Sequence, residues 1–210
     1  MSSDSIVPRK IAPLVQETLE DTRVVSIAGA RQAGKSTLAR IVASNRAPVR
    51  VLTLDDPVTL RAAIDDPTGL IEHDGLLVID EVQRAPGLFL PIKADVDSDS
   101  RPGRYLLTES AQILALKDLP EALTGRMETV ELWPFSQGEL DDAPDRFIDA
   151  VFEFGPRLGR DSTMKRRDYI DRAVIGGFPE AVRRSGRRRA AFFENYLDTL
   201  IKRDVSEHAA

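Results

Sequence analysis

Cysteine is absent from the 210-residue chain, and histidine occurs only twice. The lack of cysteine excludes disulfide scaffolds, thiolate metal sites and cysteine nucleophiles, and two histidines are too few for a histidine-rich metal cluster. No apolar run approaches the ~18 residues of a membrane span. The polar N-terminus also lacks the apolar core of a signal peptide. These absences predict a cytoplasmic protein that does not act at a membrane.

An excess of positive charge is also missing. Lys and Arg total 29 against 34 Asp and Glu, a net charge of -5, which argues against a globally basic nucleic-acid-binding protein. Charge is nevertheless segregated, because residues 164–189 hold nine basic and three acidic side chains and carry +6. Such a run is usually a solvated helix surface. Contact of the stretch 183–189 with nucleic-acid phosphates stays an open alternative, although no aromatic residue between the arginines supports base stacking.

Short β-branched or apolar segments alternate with helical patterns up to about residue 135. The predicted strands are Arg23–Ala28, Val49–Leu54, Leu76–Ile79, Arg104–Thr108 and Glu128–Leu132, and the clearest helices are Ile6–Leu19 and Lys35–Ala43. The alternation predicts an α/β fold with a parallel sheet of about five strands and helices on both faces. Beyond it, Ser136 and Glu139 have capping-box spacing and open a helical tail. We therefore predict an α/β domain over 1–136 and a helical subdomain over 137–210.

The segment from Gly29 to Ser36 fits the phosphate-loop pattern G-x-x-x-x-G-K-[ST], with a strand pattern before it and a helix pattern after it. Gly29 and Gly34 allow the loop to curl so that its backbone N–H groups and the helix N-terminus face a phosphate. Lys35 is predicted to reach the β- and γ-phosphates, and the Ser36 hydroxyl to ligate Mg²⁺. The predicted nucleotide-binding residues are Gly29, Ala30, Arg31, Gln32, Ala33, Gly34, Lys35, Ser36 and Thr37.

Two acids, Asp80 and Glu81, end an apolar strand pattern 45 residues after the loop lysine. Asp80 is predicted to hold Mg²⁺, and Glu81 to orient and deprotonate an attacking water. An exposed Asp-Glu pair at a turn is the simpler alternative. The pair favours hydrolysis of ATP over phosphoryl transfer to an acceptor, and the absence of an N-K-x-D motif argues against a GTPase.

Together with further motifs along nearly the whole chain, these residues resemble a prokaryotic family of AAA-like P-loop ATPases whose members usually carry a C-terminal domain of unknown function. The stretches that match, in the family's order, are Gly29–Thr37, Leu54–Pro57, Leu77–Pro86, Ile92–Asp97, Pro102–Thr108, Leu123–Arg126, Glu131–Ser136, Gly176–Glu180 and Tyr196–Asp204.

The resemblance implies Mg²⁺-dependent binding and hydrolysis of ATP, coupled to a conformational change. It also implies that the strand carrying the γ-phosphate sensor lies between the P-loop strand and the acidic strand. Thr108 or Ser110 would contact the attacking water or the γ-phosphate. Arg126 would stabilise transition-state charge in its own site or in a neighbour's, the alternative being a structural ion pair.

Two departures from the family pattern leave other functions open. Glu109 stands where the family has glycine, and a carboxylate there is expected to repel nucleotide or to break a tight turn. The family's C-terminal domain is expected to be absent, because the match ends with the chain. A non-hydrolysing, nucleotide-dependent interaction module (a truncated remnant) and a P-loop kinase are therefore the alternatives to an ATPase.

Three further features have mainly structural interpretations. The tripeptide from Trp133 to Phe135 is expected to plug the core, and Asp56 to cap a helix while Asp55 precedes it. The apolar stripe between Phe192 and Ile201 is expected to dock on the core or on a missing domain. It also offers a surface for a protein partner or for self-association.

Overall fold

The computed structural model describes residues 6–110, 123–144, 146–159 and 163–208, with the backbone alone for 203–208. The chain divides into two compact units, one of residues 8–133 and one of the residues outside that range. The strands, all in the first unit, are β1 (Val24–Gly29), β2 (Val49–Thr53), β3 (Leu76–Asp80), β4 (Tyr105–Ser110) and β5 (Met127–Glu131). Its helices are α1 (Ala12–Asp21), α2 (Lys35–Ala43), α3 (Pro57–Asp65), α4 (Pro67–Leu70) and α5 (Phe89–Ser98), with 3₁₀ turns at Val82–Arg84 and Pro86–Leu88.

The five strands form one parallel sheet in the order β2-β3-β4-β1-β5. This confirms the predicted α/β fold and the predicted insertion of β4 between the P-loop strand and the acidic strand. Their apolar, β-branched runs suit strands that are covered on both faces. The strand bounds differ by one or two residues from those predicted, and β4 continues to Ser110.

Two apolar clusters fill the two faces of the sheet. One joins Val24, Leu77 and Leu107 to side chains of α3 and α5. The other joins Val25 and Ile27 to side chains of α1 and α2. Successive strand residues therefore serve opposite faces, as the pleat requires.

Helix α1 begins six residues later than predicted. It starts at Ala12 with a proline in its first turn, and the residues from Ile6 to Arg9 are not helical. Proline is well tolerated in a first turn but cannot continue a helix that began earlier without removing a hydrogen bond. The Asp56 cap is confirmed, because its carboxylate accepts from the Thr59 N–H at 3.0 Å and from the Thr59 hydroxyl at 2.7 Å.

The second unit is helical. Its described elements are α6 (Gln137–Leu140), α7 (Phe147–Phe154), α8 (Arg166–Ile175), α9 (Pro179–Arg183) and α10 (Gly186–His208), with a 3₁₀ turn at Gly155–Arg157. The predicted capping box forms: the Glu139 N–H donates to Ser136 Oγ at 3.0 Å, and the Ser136 N–H donates to Glu139 Oε2 at 2.9 Å. No helix in the described ranges is both long and apolar enough to cross a membrane.

The C-terminal apolar stripe is only partly covered. Within this unit, Phe192 is buried and its ring lies 5.9 Å from that of Tyr196, while the Tyr196 ring also lies 5.1 Å from Phe178. Leu197 and Ile201, one and two turns further along α10, are exposed. The stripe therefore contributes its N-terminal part to an aromatic cluster and leaves the remainder on the surface.

An ion-pair network closes the amino edge of the sheet, where the strands begin. The buried Arg104 guanidinium contacts Asp95 and Asp99 at 2.6 Å each. Asp95 also accepts from the Tyr105 hydroxyl at 2.6 Å. Burial, followed by that hydrogen bond, raises the pKa of Tyr105. The network ties the start of β4 to the end of α5.

The backbone packs closely at Gly75, where the starts of β2 and β3 meet. A Cβ at Gly75 would lie 2.1 Å from the Pro48 carbonyl oxygen, whereas a Cβ at Gly87 meets nothing within 4 Å. Gly75→Ala is therefore expected to lower the free energy of unfolding by about 1–3 kcal/mol through overpacking. Gly87→Ala is the control and should change it little. Urea unfolding of the two variants checks this, and equal midpoints would contradict the close approach.

Candidate functional site

The carboxyl ends of three neighbouring strands bring the predicted site residues together. The phosphate-loop sequence follows β1, Asp80 ends β3 with Glu81 next to it, and Ser110 ends β4. Since β3, β4 and β1 are parallel neighbours, all three ends lie at one edge of the sheet. This is the edge at which open α/β sheets bind their ligands.

Glycine is required at both ends of the loop between β1 and α2. Gly29 has φ +153°, and a Cβ there would lie 2.2 Å from the Leu132 carbonyl oxygen. Gly34 has φ +102° and directly precedes α2 in a left-handed conformation. The loop therefore curls against β5 and leads into the first turn of α2, whose free N–H groups and dipole favour an anion.

Lys35 lies at the centre of this arrangement. It is only 4% exposed, and its Nζ donates to the Ala30 carbonyl oxygen at 3.0 Å. Burial lowers the pKa of Lys35, and the carboxylates of Glu81, Asp80 and Glu109 oppose that shift. The ammonium group is thus a desolvated cation among three carboxylates, held by a loop carbonyl.

One hydroxyl connects the acidic residues to β4. Thr108 Oγ1 donates to Asp80 Oδ1 at 2.5 Å and accepts from the Glu81 N–H at 3.0 Å. A hydroxyl has a single proton, so the Thr108 proton is committed to Asp80. Thr108 therefore positions Asp80 and Glu81. Of the two hydroxyls predicted to contact the γ-phosphate or the water, that of Ser110 is the better placed to donate.

Glu81 is held in an uncommon backbone conformation. Its φ of 59° and ψ of 46° are left-handed, which costs a non-glycine residue of order 1 kcal/mol or more. Its carboxylate accepts a short hydrogen bond from Gln83 Nε2, which also donates to Ser110 Oγ at 2.9 Å. The sequence prediction missed Gln83, although it lies inside the matching stretch Leu77–Pro86.

Arg9 is a second residue that sequence reasoning missed. Its guanidinium donates to the Ala33 carbonyl oxygen at 2.9 Å and to the Trp133 carbonyl oxygen at 2.5 Å. It also lies 3.6 Å from where a Gly34 Cβ would be. No local pattern links Arg9 to a loop more than twenty residues away. Trp133 itself is 68% exposed, so the prediction that its side chain plugs the core is wrong.

Glu109 does not break a turn, contrary to expectation. It lies within regular β4, paired with Ala28, and strand alternation directs it to the face opposite Thr108. The side chain is buried, and burial raises the pKa of Glu109 against the opposing effects of the Ser26 hydroxyl and Lys35. Its carboxyl group therefore acts on the charge of Lys35 from the far face of the sheet.

Arg126 lies at the other edge of the sheet, directly before β5. Its Nε and Nη2 donate to Asp97 at 2.5 and 3.0 Å, and this contact lowers the pKa of Asp97. A strand of five or six residues spans roughly 15–20 Å, which separates Arg126 from the loop. Arg126 therefore does not lie at its own chain's candidate site and forms an ion pair with Asp97 instead.

The remaining predicted residues are paired elsewhere or lie partly or fully exposed. Asp55 pairs with Arg84 and Asp56 caps α3, so neither contacts Asp80. Arg31, Gln32 and Thr37 are exposed, and Ser36 is half-buried. Asp80 Oδ2 accepts weakly from Thr53 Oγ1 at 3.5 Å.

A surface cavity of about 300 Å³ also lies at the amino edge, near the starts of β2, β3 and β4. Its lining includes Arg46, Asp74 and Arg101. Like Arg126, it is a strand length away from the glycine loop and is not part of this site.

A parallel sheet with a glycine loop after β1 and acids after β3 defines the class of P-loop nucleoside triphosphatases. The AAA domain family matches residues 21–141, and the chain belongs to that family, which confirms the resemblance. Residues 166–210 match a domain of unknown function (DUF8612).

Curated relatives and solved structures agree with this assignment. Uncharacterized proteins of Mycobacterium bovis and Mycobacterium tuberculosis are each 30% identical over 201 residues, covering 95% of this chain and 40% of theirs. The chain thus spans less than half the length of these relatives. The Walker-type ATPase PABY2304 of Pyrococcus abyssi has a TM-score of 0.56 at 15% identity and covers 96% of this chain and 75% of its own. AMPPCP-bound DnaA from Aquifex aeolicus has a TM-score of 0.52 at 16% identity, and the match covers 82% of this chain and 57% of the DnaA chain. At these identities the two structures show the fold alone.

The raised pKa of Glu109 predicts a pH-dependent effect on stability. As pH rises, the Glu109 carboxyl group loses its proton in the unfolded chain before it does so in the folded chain. Below the ordinary carboxyl pKa, where Glu109 is protonated in both states, its contribution to the stability of the fold is therefore complete. That stability is lost as pH rises through the folded pKa. Glu109→Gln should therefore gain stability relative to wild type between pH 5 and pH 8.

Urea unfolding at the two pH values checks this prediction. Glu20→Gln on the exposed surface of α1 is the control and should show no such gain. If the difference in unfolding free energy between Glu109→Gln and wild type is the same at pH 5 and pH 8, the prediction is wrong.

Proposed function

We propose that this chain binds ATP together with Mg²⁺ and hydrolyses it, coupling the nucleotide state to a conformational change. The observation that carries the proposal is the buried Lys35 ammonium among the carboxylates of Asp80 and Glu81, at the mouth of a glycine loop. A polyphosphate brings negative charge, and a desolvated ammonium interacts with such charge more strongly than a solvated one does. The AMPPCP bound by the DnaA neighbour supports ATP as the nucleotide.

In the proposed reaction, a water oxygen attacks the γ-phosphorus, and the bond from that phosphorus to the β–γ bridging oxygen breaks. Glu81 accepts the proton that the water gives up, and ADP and phosphate leave. Lys35 and the backbone N–H groups from Ala30 to Ser36 bind the β- and γ-phosphates. Ser110 donates to the γ-phosphate, and Thr108 holds Asp80 and Glu81 in register with it.

Two oxygen groups suit the magnesium ion that the family implies. Ser36 lies in the first turn of α2. The Asp80 carboxylate retains acceptor capacity beyond its bonds to Thr108 and Thr53. Mg²⁺ prefers oxygen ligands and is commonly bound by one or two protein groups together with substrate phosphates. When bound, the ion would supply charge neutralisation to the phosphate oxygens.

One observation favours the alternative of a nucleotide-dependent module that does not hydrolyse. Glu109 adds a buried carboxyl group that acts on Lys35 electrostatically, and in its charged form it would compete with phosphate for the ammonium. Under this alternative ATP binds without turnover. A kinase has no comparable support, because a kinase does not need a residue that activates water, the role proposed for Glu81.

Phosphate release from ATP tests the proposal directly. Lys35→Ala is expected to weaken ATP binding and to abolish turnover, because it removes the buried cation. Glu81→Gln should keep ATP affinity and lower kcat by about 10²–10⁴-fold, the range expected for loss of a general base. The measurements are nucleotide affinity with a fluorescent ATP analogue and Mg²⁺-dependent phosphate release.

Matched controls are Lys202→Ala and Glu20→Gln, both exposed and distant along the chain from the loop and the acids. Both controls should behave as wild type. ATP binding that depends on Lys35 without any phosphate release would replace the ATPase proposal with the non-hydrolysing module.

Arg126 gives a separate prediction. Because its guanidinium pairs with Asp97 at the amino edge, Arg126→Ala should leave kcat unchanged in dilute protein. The loss of this partly exposed ion pair should change stability little. Turnover measured across a range of protein concentrations checks this. A drop in kcat at high concentration alone would instead indicate that Arg126 serves a neighbouring copy.

A further inference from the structure

Gln83 contacts the predicted base, Glu81, but has no role in the reaction proposed above. It lies in the 3₁₀ turn Val82–Arg84, two residues after Glu81. Its Nε2 donates to Glu81 Oε2 and to Ser110 Oγ, so both amide protons are used. The chemistry decides the orientation of the amide, because a carboxylate only accepts hydrogen bonds and must face the NH₂ group.

The other end of this amide is an unsatisfied acceptor. Gln83 Oε1 is buried and accepts no hydrogen bond from the residues that the structure describes. Burying an unsatisfied acceptor destabilises a fold, because the oxygen loses its hydrogen bond to water and gains none in return. Such groups are uncommon in folded proteins, and each one calls for an explanation. Here the amide keeps its place at this cost through the two hydrogen bonds that its nitrogen donates.

Two hydrogen-bonded bridges therefore join the end of β3 to β4. The first runs from Asp80 and the Glu81 N–H through the Thr108 hydroxyl, and it positions the backbone. The second runs from the Glu81 carboxylate through the Gln83 amide to Ser110, and it positions the side chain. The orientation of the predicted base is thus tied to the residue that ends β4.

We propose that Gln83 is a positioning residue for hydrolysis: its amide nitrogen, held by Ser110, orients the Glu81 carboxylate towards the attacking water. This inference rests on the proposed ATPase function. In this arrangement the water donates a hydrogen bond to Glu81, which takes that proton. The water oxygen lone pair is then directed at the γ-phosphorus.

The decisive variants are Gln83→Met and Gln83→Glu. Methionine keeps the length and much of the volume of the side chain but removes both hydrogen bonds. Glutamate keeps acceptor oxygens but loses the donor and places a second carboxylate against Glu81. Both are expected to lower kcat at least about tenfold, while KM and the affinity for a fluorescent ATP analogue stay within about twofold.

A double variant separates positioning from a general structural effect. If Gln83 acts through Glu81, its substitution has little left to remove once the base is gone. Glu81→Gln/Gln83→Met should then hydrolyse ATP as slowly as Glu81→Gln alone under single-turnover conditions. Arg84→Leu, in the same turn but paired with exposed Asp55, is the control and should keep the wild-type kcat.

A tenfold or greater loss of kcat at unchanged affinity, together with non-additivity, supports the assignment. A Gln83→Met variant with kcat within twofold of wild type, with a raised kcat, or with a loss that adds to that of Glu81→Gln overturns it. If Gln83→Met does not fold, the same criteria apply to Gln83→Glu. Absence of phosphate release from the wild type overturns the proposed function and this inference with it, whereas a wild-type turnover that Gln83 does not affect overturns the inference alone.

Discussion

The Thr108 hydroxyl is the contact on which the geometry of the site depends. By donating to Asp80 and accepting from the Glu81 N–H, it joins the ends of two neighbouring strands at the level of the predicted metal ligand and base. The contact exists because β4 lies between β3 and β1, which brings its side chains level with those of the acidic strand. A shift of one residue in the register of β4 would turn the hydroxyl to the other face and separate the acids from the γ-phosphate sensor.

The second feature of the site is a buried positive charge close to several carboxylates. Lys35 is desolvated at the start of α2, and the carboxylates of Glu81, Asp80 and Glu109 act on it from two faces of the sheet. Burial disfavours the charged form of Lys35, and the nearby carboxylates favour it. Glu109 contributes to this effect from within a regular strand. Gln83 adds an uncharged link between the base and the end of β4.

Much of the fold was predictable because local pattern and buried strands determine it. The five strands, the glycine loop, the Asp56 cap and the Ser136 capping box all follow from short-range chemistry, and each is present. The errors fall where distant residues decide. Arg126 was predicted to reach the nucleotide, but the direction of β5 places it at the amino edge beside Asp97. Arg9 gave no local signal, and Gln83 lay in a matching stretch that does not show its role, since both roles depend on contacts with distant residues, Ala33 and Ser110.

The sequence by itself determined the class of the protein. The spacing of the phosphate loop, with a strand pattern before it and a helix pattern after it, predicted the site together with the apolar run that ends in two acids, because parallel strands end at one edge of a sheet. Tertiary structure alone decided which hydroxyl serves the acids and which serves the ligand. It also decided that Glu109 faces away from Thr108 and that Gln83 holds Glu81. The physical reason is that hydrogen bonds between side chains require positions within about 3 Å, and for residues far apart in sequence the strand order and register set these positions.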